Sequence, residues 1–381
     1  MEEVGPRIGA RKAWASLSSA APPHRVSPRP FRGRSAIDFQ QPMHQRPISF
    51  QERAAARFAA LDLGTNNCRL LLAAPSRGGY RVLGGYSRIV RLGEGLGGTG
   101  RLASAAMARA LDALKECAAR IAEHSATELA GVATQACRLA SNGAEFLDRV
   151  RRETGLSLSV ISAEEEARLA ALGCAELVDT DAECALVVDI GGGSTEISFI
   201  DIPATPRGGE PKLLAWASAP VGVVGLTEKW PEPAAPDSRW YEGMVEDVLD
   251  SLRSAGLPKA LEGIFARGAG QVIGTSGAVT SLAGVHLGLR RYRRLDVDGL
   301  WLDAEDCFAA INRLKAMPAS QRAANPCIGR DRADLVVPGS AILEAVTRLY
   351  PARRIRVADR GLREGLLWRM ARAHRERAGK A

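Results

Sequence analysis

The sequence contains few aromatic residues and no paired cysteine motif, and both shortages narrow the classes of protein it can belong to. Aromatic residues make up 5% of the 381 residues, whereas small apolar residues are plentiful, which suits tightly packed α/β layers. The seven cysteines stand singly, which argues against a disulfide framework or a zinc site and for a reducing compartment such as the cytoplasm. Five scattered histidines argue against a His-ligated metal or a His-based catalytic triad. No stretch approaches the ~18 uninterrupted apolar residues of a transmembrane helix, so none is predicted.

The net charge of +8 comes mostly from the first 57 residues, which carry ten Lys/Arg against four Asp/Glu. This segment also holds seven of the twenty prolines and shows no hydrophobic periodicity, so it is predicted to be disordered. It lacks the apolar region of a secretory signal. An organelle transit peptide, a true start at Met43 and an electrostatic tether to an anionic partner are three interpretations that stay open.

From Phe58 onward the chain repeats one pattern of strands, Gly-rich turns and amphipathic helices. The segments "FAALDLGTNNCRLLLA" at 58–73 and "VVDIGGGSTEISF" at 187–199 each predict a strand, a tight turn and a returning strand. The two halves predict a duplicated α/β module, with one domain over 58–180 and a second over 181–365. The C-terminal helix over 366–381 is a candidate to complete the first domain. A cleft between two such modules is the default place for a ligand.

Both turns combine glycine with an aspartate near the end of a strand. Glycine lets an anion approach the main chain without meeting a Cβ atom, and successive amide N–H groups in such a turn form a nest for it. Asp62 and Asp189 would lie at the rims, where carboxylates hold Mg²⁺ or its water ligands rather than phosphate itself. An ordinary hairpin turn is the simpler explanation of either motif alone. The pair of motifs is what favours a phosphate site held from both sides.

These two turns resemble the phosphate motifs of the superfamily of actin, sugar kinases and heat-shock ATPases. Within it, the sequence is most similar to the short, two-domain form of the exopolyphosphatase and guanosine pentaphosphate phosphohydrolase (Ppx/GppA) family. Four further segments occur in the order and spacing of that family: "ATQACRLASNGAEFLDRV", "VISAEEEARLAALG", "GTSGAVTSLAG" and "ADRGLREGLL". The resemblance covers residues 58 to about 370. It implies a duplicated actin-like (ribonuclease H-like) fold with two lobes around a central cleft, and hydrolysis of a terminal phosphoanhydride bond.

The resemblance also implies catalytic residues. Glu166, the last acid of "SAEEEAR", matches the carboxylate that activates the attacking water, with Glu164 and Glu165 as the alternatives if the alignment slips. Glu196 matches a second acid that orients water or metal. Arg138 matches an arginine that neutralises phosphate oxygens.

Metal and phosphate positions follow from the same resemblance. Asp62 and Asp189 match metal-associated aspartates, with Mg²⁺ or another divalent cation as the expected cofactor. The matching phosphate-binding positions are Gly64, Thr65, Asn66, Gly191, Gly192, Gly193, Ser194 and Thr195, with Gly274 and Ser276 as further contacts. Gln135 departs from the pattern, because many relatives carry an acid at this position.

The leading hypothesis is an exopolyphosphatase, and removal of a terminal phosphate from guanosine pentaphosphate is the alternative within the family. Two alternatives come from other classes of protein. One is an actin-like ATPase or kinase, and the segments "SAEEEAR" and "RGLREG" argue against it. The other is an alarmone-binding sensor, and Glu166 and Glu196 argue against it. The expected partner is a polyanionic substrate, not a specific nucleic acid sequence or a membrane, and a homodimer is left open. Two arginine clusters could line a polymer track or form a solvated face: Arg290, Arg291, Arg293 and Arg294, and Arg353, Arg354 and Arg356.

Overall fold

The computed structural model describes residues 56–378, and the fold and site below are those of this part of the chain. The disorder predicted for residues 1–57 lies outside the described residues, apart from Ala56 and Arg57. Among residues 56–378, no helix has the length and apolar character needed to cross a membrane.

The strands of the described chain form two mixed sheets, ordered β3-β2-β1-β4-β5 and β10-β11-β9-β6-β7-β8. The strands of the first sheet are β1 (Phe58–Leu63), β2 (Asn67–Ser76), β3 (Gly79–Ile89), β4 (Glu128–Ala133) and β5 (Ser159–Val160). The strands of the second sheet are β6 (Cys184–Ile190), β7 (Thr195–Asp201), β8 (Leu213–Ala219), β9 (Gly270–Thr275), β10 (Trp301–Asp303) and β11 (Arg354–Ala358).

Both sheets are built around a central hairpin whose first strand also pairs with a parallel neighbour. β1 pairs antiparallel with β2 and parallel with β4, and β6 pairs antiparallel with β7 and parallel with β9. The order β3-β2-β1-β4-β5 therefore recurs as β8-β7-β6-β9-β11, with β10 added at the edge. This repetition confirms the predicted duplicated actin-like fold. We call the first sheet with its helices lobe I and the second sheet with its helices lobe II.

Helices cover both sheets. Those that precede β6 are α1 (Leu96–Thr99), α2 (Ser104–Glu123), α3 (Gln135–Leu139), α4 (Gly143–Thr154) and α5 (Ala163–Cys174). Those that follow it are α6 (Val223–Lys229), α7 (Ser238–Ser254), α8 (Lys259–Ala266), α9 (Gly277–His286), α10 (Arg294–Val297), α11 (Ala304–Ala316), α12 (Ala319–Ala324), α13 (Val336–Leu349) and α14 (Leu362–Ala378). Short 3₁₀ helices lie at Ala175–Leu177 and Arg330–Arg332.

β1 is buried along its whole length because both faces of the first sheet are covered. Leu61 belongs to an apolar cluster with Leu114 of α2, whereas Phe58 belongs to another cluster with Leu367 of α14. This division follows the period of two of a strand, in which successive side chains point to opposite faces. A strand buried on both faces shows a nearly continuous apolar run, as this one does.

α14 lies on lobe I although it follows the last strand of lobe II. It packs against α5 so closely that a Cβ atom at Gly365 would overlap the backbone of Leu169. The rings of Phe58 in β1 and His374 in α14 meet edge to face, with 5.7 Å between their centroids. The last helix of the described chain thus covers the sheet of its first strand. The domain boundaries at 180 and 365 stay predictions.

Three segments differ from what their sequence pattern predicts. The segment "LSLSVIS" at 156–162 favours a strand, but only Ser159–Val160 forms one, because β5 is an edge strand that pairs with β4 over two residues. The stretch up to residue 266 favours two amphipathic helices, but it contains three, α6 to α8. Residues 301–324 contain β10, α11 and α12, which no sequence pattern predicted.

Candidate active site

The two glycine turns face each other across the space between the lobes. A Cβ atom added to Gly192 would lie 2.9 Å from the backbone nitrogen of Asn66 and 3.1 Å from Cβ of Thr65. One added to Gly193 would overlap the side-chain oxygen of Gln135. Neither glycine has a positive φ, so the backbone conformation does not require glycine at these positions. At Gly192 the close approach of the opposite turn requires it, and at Gly193 an added Cβ would displace the Gln135 side chain.

The turns offer amide donors while their carbonyl groups are already bonded. Within residues 56–378, the N–H groups of four turn residues donate to no protein acceptor: Thr65, Asn66, Gly192 and Gly193. The Asn66 carbonyl, by contrast, accepts from the amides of Val90 and Arg91, and the Gly192 carbonyl accepts from that of Val224. A pair of turns with free donors and bonded acceptors is electropositive and suits an anion such as a phosphoryl group.

The turns line a cleft of about 620 Å³ whose wall contains six acids. Two of them, Asp359 and Glu364, pair with Arg294, and the other four belong to β1, β6, β7 and α5. Asp62 lies near the end of β1, Asp189 near the end of β6, Glu166 in the first turn of α5, and Glu196 in β7. The relative exposure of Asp62 and Glu166 is 8%, and that of Glu196 is 2%. The strand order brings the acids together because β1 and β6 are the central strands of their sheets and both end at the cleft.

Burial and mutual repulsion raise the pKa values of these four acids. Burial, helped by the Glu196 carboxylate, raises the pKa of Glu166 to about 9 and that of Asp189 to about 7. Burial also raises the pKa values of Asp62 and Glu196. The raised pKa values mean that these four carboxylates favour a bound proton or cation.

The oxygen atoms at this end of the cleft fit a divalent cation such as Mg²⁺. Asp62 and Asp189 supply hard oxygen ligands, and the side-chain oxygen of Asn66 is buried without a hydrogen-bond partner. Within the described residues, no group of three or more His, Cys, Asp or Glu side chains forms a ligand set of its own. Mg²⁺ commonly binds through one or two carboxylates, with water and substrate phosphates completing its shell, so two aspartates suffice.

The structure separates the three consecutive acids at the start of α5. Ser162 caps this helix by accepting from the Glu165 amide at 3.1 Å. Glu164 is half-buried and pairs with Arg168 on the next turn, and Glu165 pairs with Arg369 of α14. Glu166 alone of the three lines the cleft.

Arg138 supports Glu166 from outside the cleft lining. Its Nη1 donates to Oε2 of Glu166 at 3.2 Å and to the backbone carbonyl of Ile161 at 2.7 Å. Residue 138 lies in the last turn of α3, beside the segment that leads into α5. The guanidinium thus contacts the predicted base, and its contact with phosphate oxygens stays a prediction.

The family profile of the Ppx/GppA phosphatases matches residues 73–374. The chain belongs to the Ppx/GppA phosphatase family. It is 30% identical to exopolyphosphatase 1 of Mycobacterium leprae over 317 residues, which cover 82% of this chain and 89% of that protein. It is 30% identical to exopolyphosphatase 2 of Mycobacterium tuberculosis over 331 residues, which cover 84% of this chain and 99% of that protein. The crystal structure of the Aquifex aeolicus family member superposes with a TM-score of 0.68 at 29% identity, over 84% of this chain and 98% of that one.

Membership of this family confirms the expectation of an enzyme that hydrolyses phosphoanhydride bonds. Most of the site residues inferred from the family lie together in the cleft: Asp62, Gly64, Thr65, Asn66, Glu166, Asp189, Gly191, Gly192, Gly193, Ser194, Glu196 and Ser276. Their individual roles stay predictions.

The structure does not bring every residue inferred from the family to the cleft lining. Thr195 is fully buried, and its hydroxyl donates to the Val221 carbonyl at 2.7 Å. Gly274 lies inside β9, where an added Cβ would meet Val279 at 3.2 Å. The Ser276 hydroxyl does line the cleft, but it already caps α9 by accepting from two backbone amides.

The sequence analysis missed four arginines of the cleft, of which Arg360 pairs with Asp298 and Glu176. Arg69, Arg332 and Arg363 line the cleft, and none of them forms an ion pair within the described residues. Arg332 and Arg363 are both partly buried, and burial lowers their pKa values. Arg69 was accessible to sequence reasoning, because in the first hairpin it lies directly opposite Asp62. Arg363 belongs to "ADRGLREGLL", a segment used only for the family resemblance.

Proposed function

We propose that the protein is a metal-assisted exopolyphosphatase that releases orthophosphate from the end of an inorganic polyphosphate chain. The observation that carries this proposal is the cleft in which two amide-lined turns face Glu166 and the aspartates at the ends of β1 and β6. The curated exopolyphosphatases among the relatives support polyphosphate as the substrate class.

The terminal phosphoryl group binds against the two turns where they line the cleft. The free amides of Asn66 and Gly192 donate to its oxygens, and Arg69, Arg332 and Arg363 balance the charge of the chain. Because these donors are fixed before the substrate arrives, they need no reorganisation as charge develops on the phosphoryl oxygens. Phosphoryl transfer depends mainly on such positioning and neutralisation.

Glu166 accepts a proton from the attacking water. The water oxygen forms a bond to the terminal phosphorus, its proton passes to the Glu166 carboxylate, and the bridging P–O bond breaks with its electron pair on the shortened chain. Arg138 holds the carboxylate in place and favours its ionised form, against the burial that raises its pKa. A divalent cation held by Asp62 and Asp189 would supply a Lewis acid that neutralises both carboxylate and phosphate charge.

The test is phosphate release in the presence of Mg²⁺ from long-chain polyphosphate, triphosphate, guanosine pentaphosphate and ATP. Release from polyphosphate by the wild type, lost in Glu166→Gln and kept in the neighbouring Glu164→Gln, is the expected result. A preference for guanosine pentaphosphate would change the proposed substrate but not the proposed mechanism. Turnover of ATP alone would overturn the proposal.

A further inference from the structure

A second group of arginines lies outside the lining of the cleft, on the edge of lobe II formed by β10 and β11. These strands pair antiparallel, with Trp301 opposite Arg356. The guanidinium carbon of Arg354 lies 3.9 Å from the centroid of the Trp301 ring, and that of Arg356 lies 4.7 Å from the same centroid. One indole ring therefore carries two guanidinium groups.

These two cations have few acidic partners. The Nη2 atom of Arg354 lies 3.5 Å from Oδ2 of Asp179. The Arg354 side chain is half exposed, and an ion pair at this exposure contributes little to stability. Arg356 forms no ion pair within residues 56–378, and its buried Nε has no hydrogen-bond acceptor. The charge of Asp298 raises the pKa of Arg356, but the Asp298 carboxylate is already bound by Arg360 at 2.6 Å. Burial and the neighbouring Arg354 lower the pKa of Arg356.

Stacking on tryptophan prepares the two arginines for an anion. A guanidinium group that lies over a ring keeps its plane fixed and leaves the N–H groups of its edge available. Those edges match two oxygens of a phosphate group, and the resulting charge-assisted bonds are stronger than neutral ones. An anion here would also relieve the repulsion between two like charges on one ring.

We propose that Arg354 and Arg356, stacked on Trp301, form a second binding site for phosphate groups, and that it holds the distal part of a polyphosphate chain. This inference rests on the proposed function. Arg354, Arg356 and Ala358 are alternate residues of β11 and share one face of the sheet, and Ala358 lines the cleft. At ~3.3 Å per residue the strand covers about 13 Å from Arg354 to Ala358. A short substrate therefore occupies the cleft alone, whereas a long chain reaches both sites.

The experiment compares the KM for long-chain polyphosphate with that for inorganic triphosphate. In the double variant Arg354→Gln/Arg356→Gln, the KM for the long chain rises about tenfold because two charge-assisted contacts are lost. The KM and kcat for triphosphate stay within about twofold of the wild type, which also shows that the variant is folded. Arg356→Lys keeps the charge without the planar edge, and its KM for the long chain lies between those of the wild type and the double variant.

The matched control is Arg267→Gln compared with the single variant Arg354→Gln. Arg267 is also on lobe II, pairs with Glu183, and has a side-chain exposure of 53%, close to the 50% of Arg354. An unchanged KM for the long chain in the double variant would overturn the second site, and so would an equal rise for triphosphate. If the wild type binds single-stranded RNA, the double variant does not, and the KM for polyphosphate is unchanged, the surface is assigned to nucleic acid. That result would also overturn the second phosphate site. If the wild type itself releases no phosphate from polyphosphate, the proposed function fails, which is a separate result.

Discussion

The guanidinium group of Arg138 binds the carboxylate of Glu166 at 3.2 Å and is itself anchored to the carbonyl of Ile161 at 2.7 Å. This ion pair joins the end of α3 to the first turn of α5. In this way Arg138 opposes the repulsion of Glu166 by Glu196, Asp62 and Asp189.

Replacing Glu166 by glutamine keeps the size of the side chain and removes the proton acceptor. We expect kcat on polyphosphate to fall by about 10²–10⁴, the usual contribution of a general base, with KM changed by much less. Glu164→Gln is the control, because Glu164 lies in the same turn and outside the cleft lining. Steady-state phosphate release measures both, and comparable kcat values for the two variants would exclude Glu166 as the base.

Replacing Arg138 by glutamine should move the pH dependence of turnover. Arg138 lowers the pKa of Glu166, so its removal raises that pKa, and the ionised base then forms only at higher pH. We expect the acidic limb of the kcat/KM profile to shift upward by about one pH unit, with the largest loss at low pH. Arg138→Lys, which keeps the positive charge, should restore most of the shift. A loss that is equal at every pH would mean that Arg138 acts in another way.

Replacing Asp189 by asparagine should stabilise the fold at the expense of function. The folded-state pKa of about 7 lies above the ordinary value of 3.8, so the folded protein binds this proton more tightly than the unfolded chain. The resulting destabilisation is absent below about pH 4, develops up to pH 7 and is complete above it. Asp189→Asn should therefore raise the free energy of unfolding by about 2–4 kcal/mol at pH 8 and by little at pH 4.5.

Urea denaturation at the two pH values measures this difference. Asp250→Asn is the control, since Asp250 is 78% exposed in its pair with Arg253. The same Asp189→Asn protein should need more Mg²⁺ for half-maximal turnover. A gain in stability that is the same at both pH values would contradict the assignment of the shift to this carboxylate.

Gly192→Ala should separate the two turns. The added Cβ would lie 2.9 Å from the Asn66 nitrogen, so one turn must move by a few tenths of an ångström or more. Displacement of catalytic groups by about 1 Å can cost about 100-fold, and we expect kcat/KM to fall by about 10–100-fold with little change in melting temperature. Gly98→Ala, where an added Cβ meets nothing within 4 Å, should leave kcat/KM unchanged. Wild-type kinetics in Gly192→Ala would show that the turns need not touch.

The sequence predicted the parts of the site that are local. Each turn with its aspartate lies within one hairpin, so the spacing along the chain determines the geometry and the pattern could be recognised. The choice among Glu164, Glu165 and Glu166 could not be made in this way, because all three suit a helix start. Only the packing of α5 between the lobes shows which of them faces the cleft.

Other features depend on contacts between distant segments. Arg332 reaches the cleft from a 3₁₀ helix that no periodicity marks, and Arg363 from the start of α14. The glycines had been attributed to the approach of a phosphate, whereas Gly192 and Gly193 are also required by the opposite turn and by Gln135. The three-residue strand β10 is too short for a hydrophobic pattern, and it is specified by its pairing with β11.

The position of α14 bears on how the protein is made. Lobe II is built from one uninterrupted stretch of chain, but the apolar layer behind β1 contains Leu367 and Ala371 from the far end of the described sequence. Contacts of such long sequence separation form slowly. On the ribosome, lobe I must therefore wait with one face of its sheet only partly covered, by Leu169 of α5, until α14 has emerged, whereas lobe II can fold earlier. The part of the described chain that is synthesised first is thus the last to be completed, and its open face is the surface that a chaperone would have to protect.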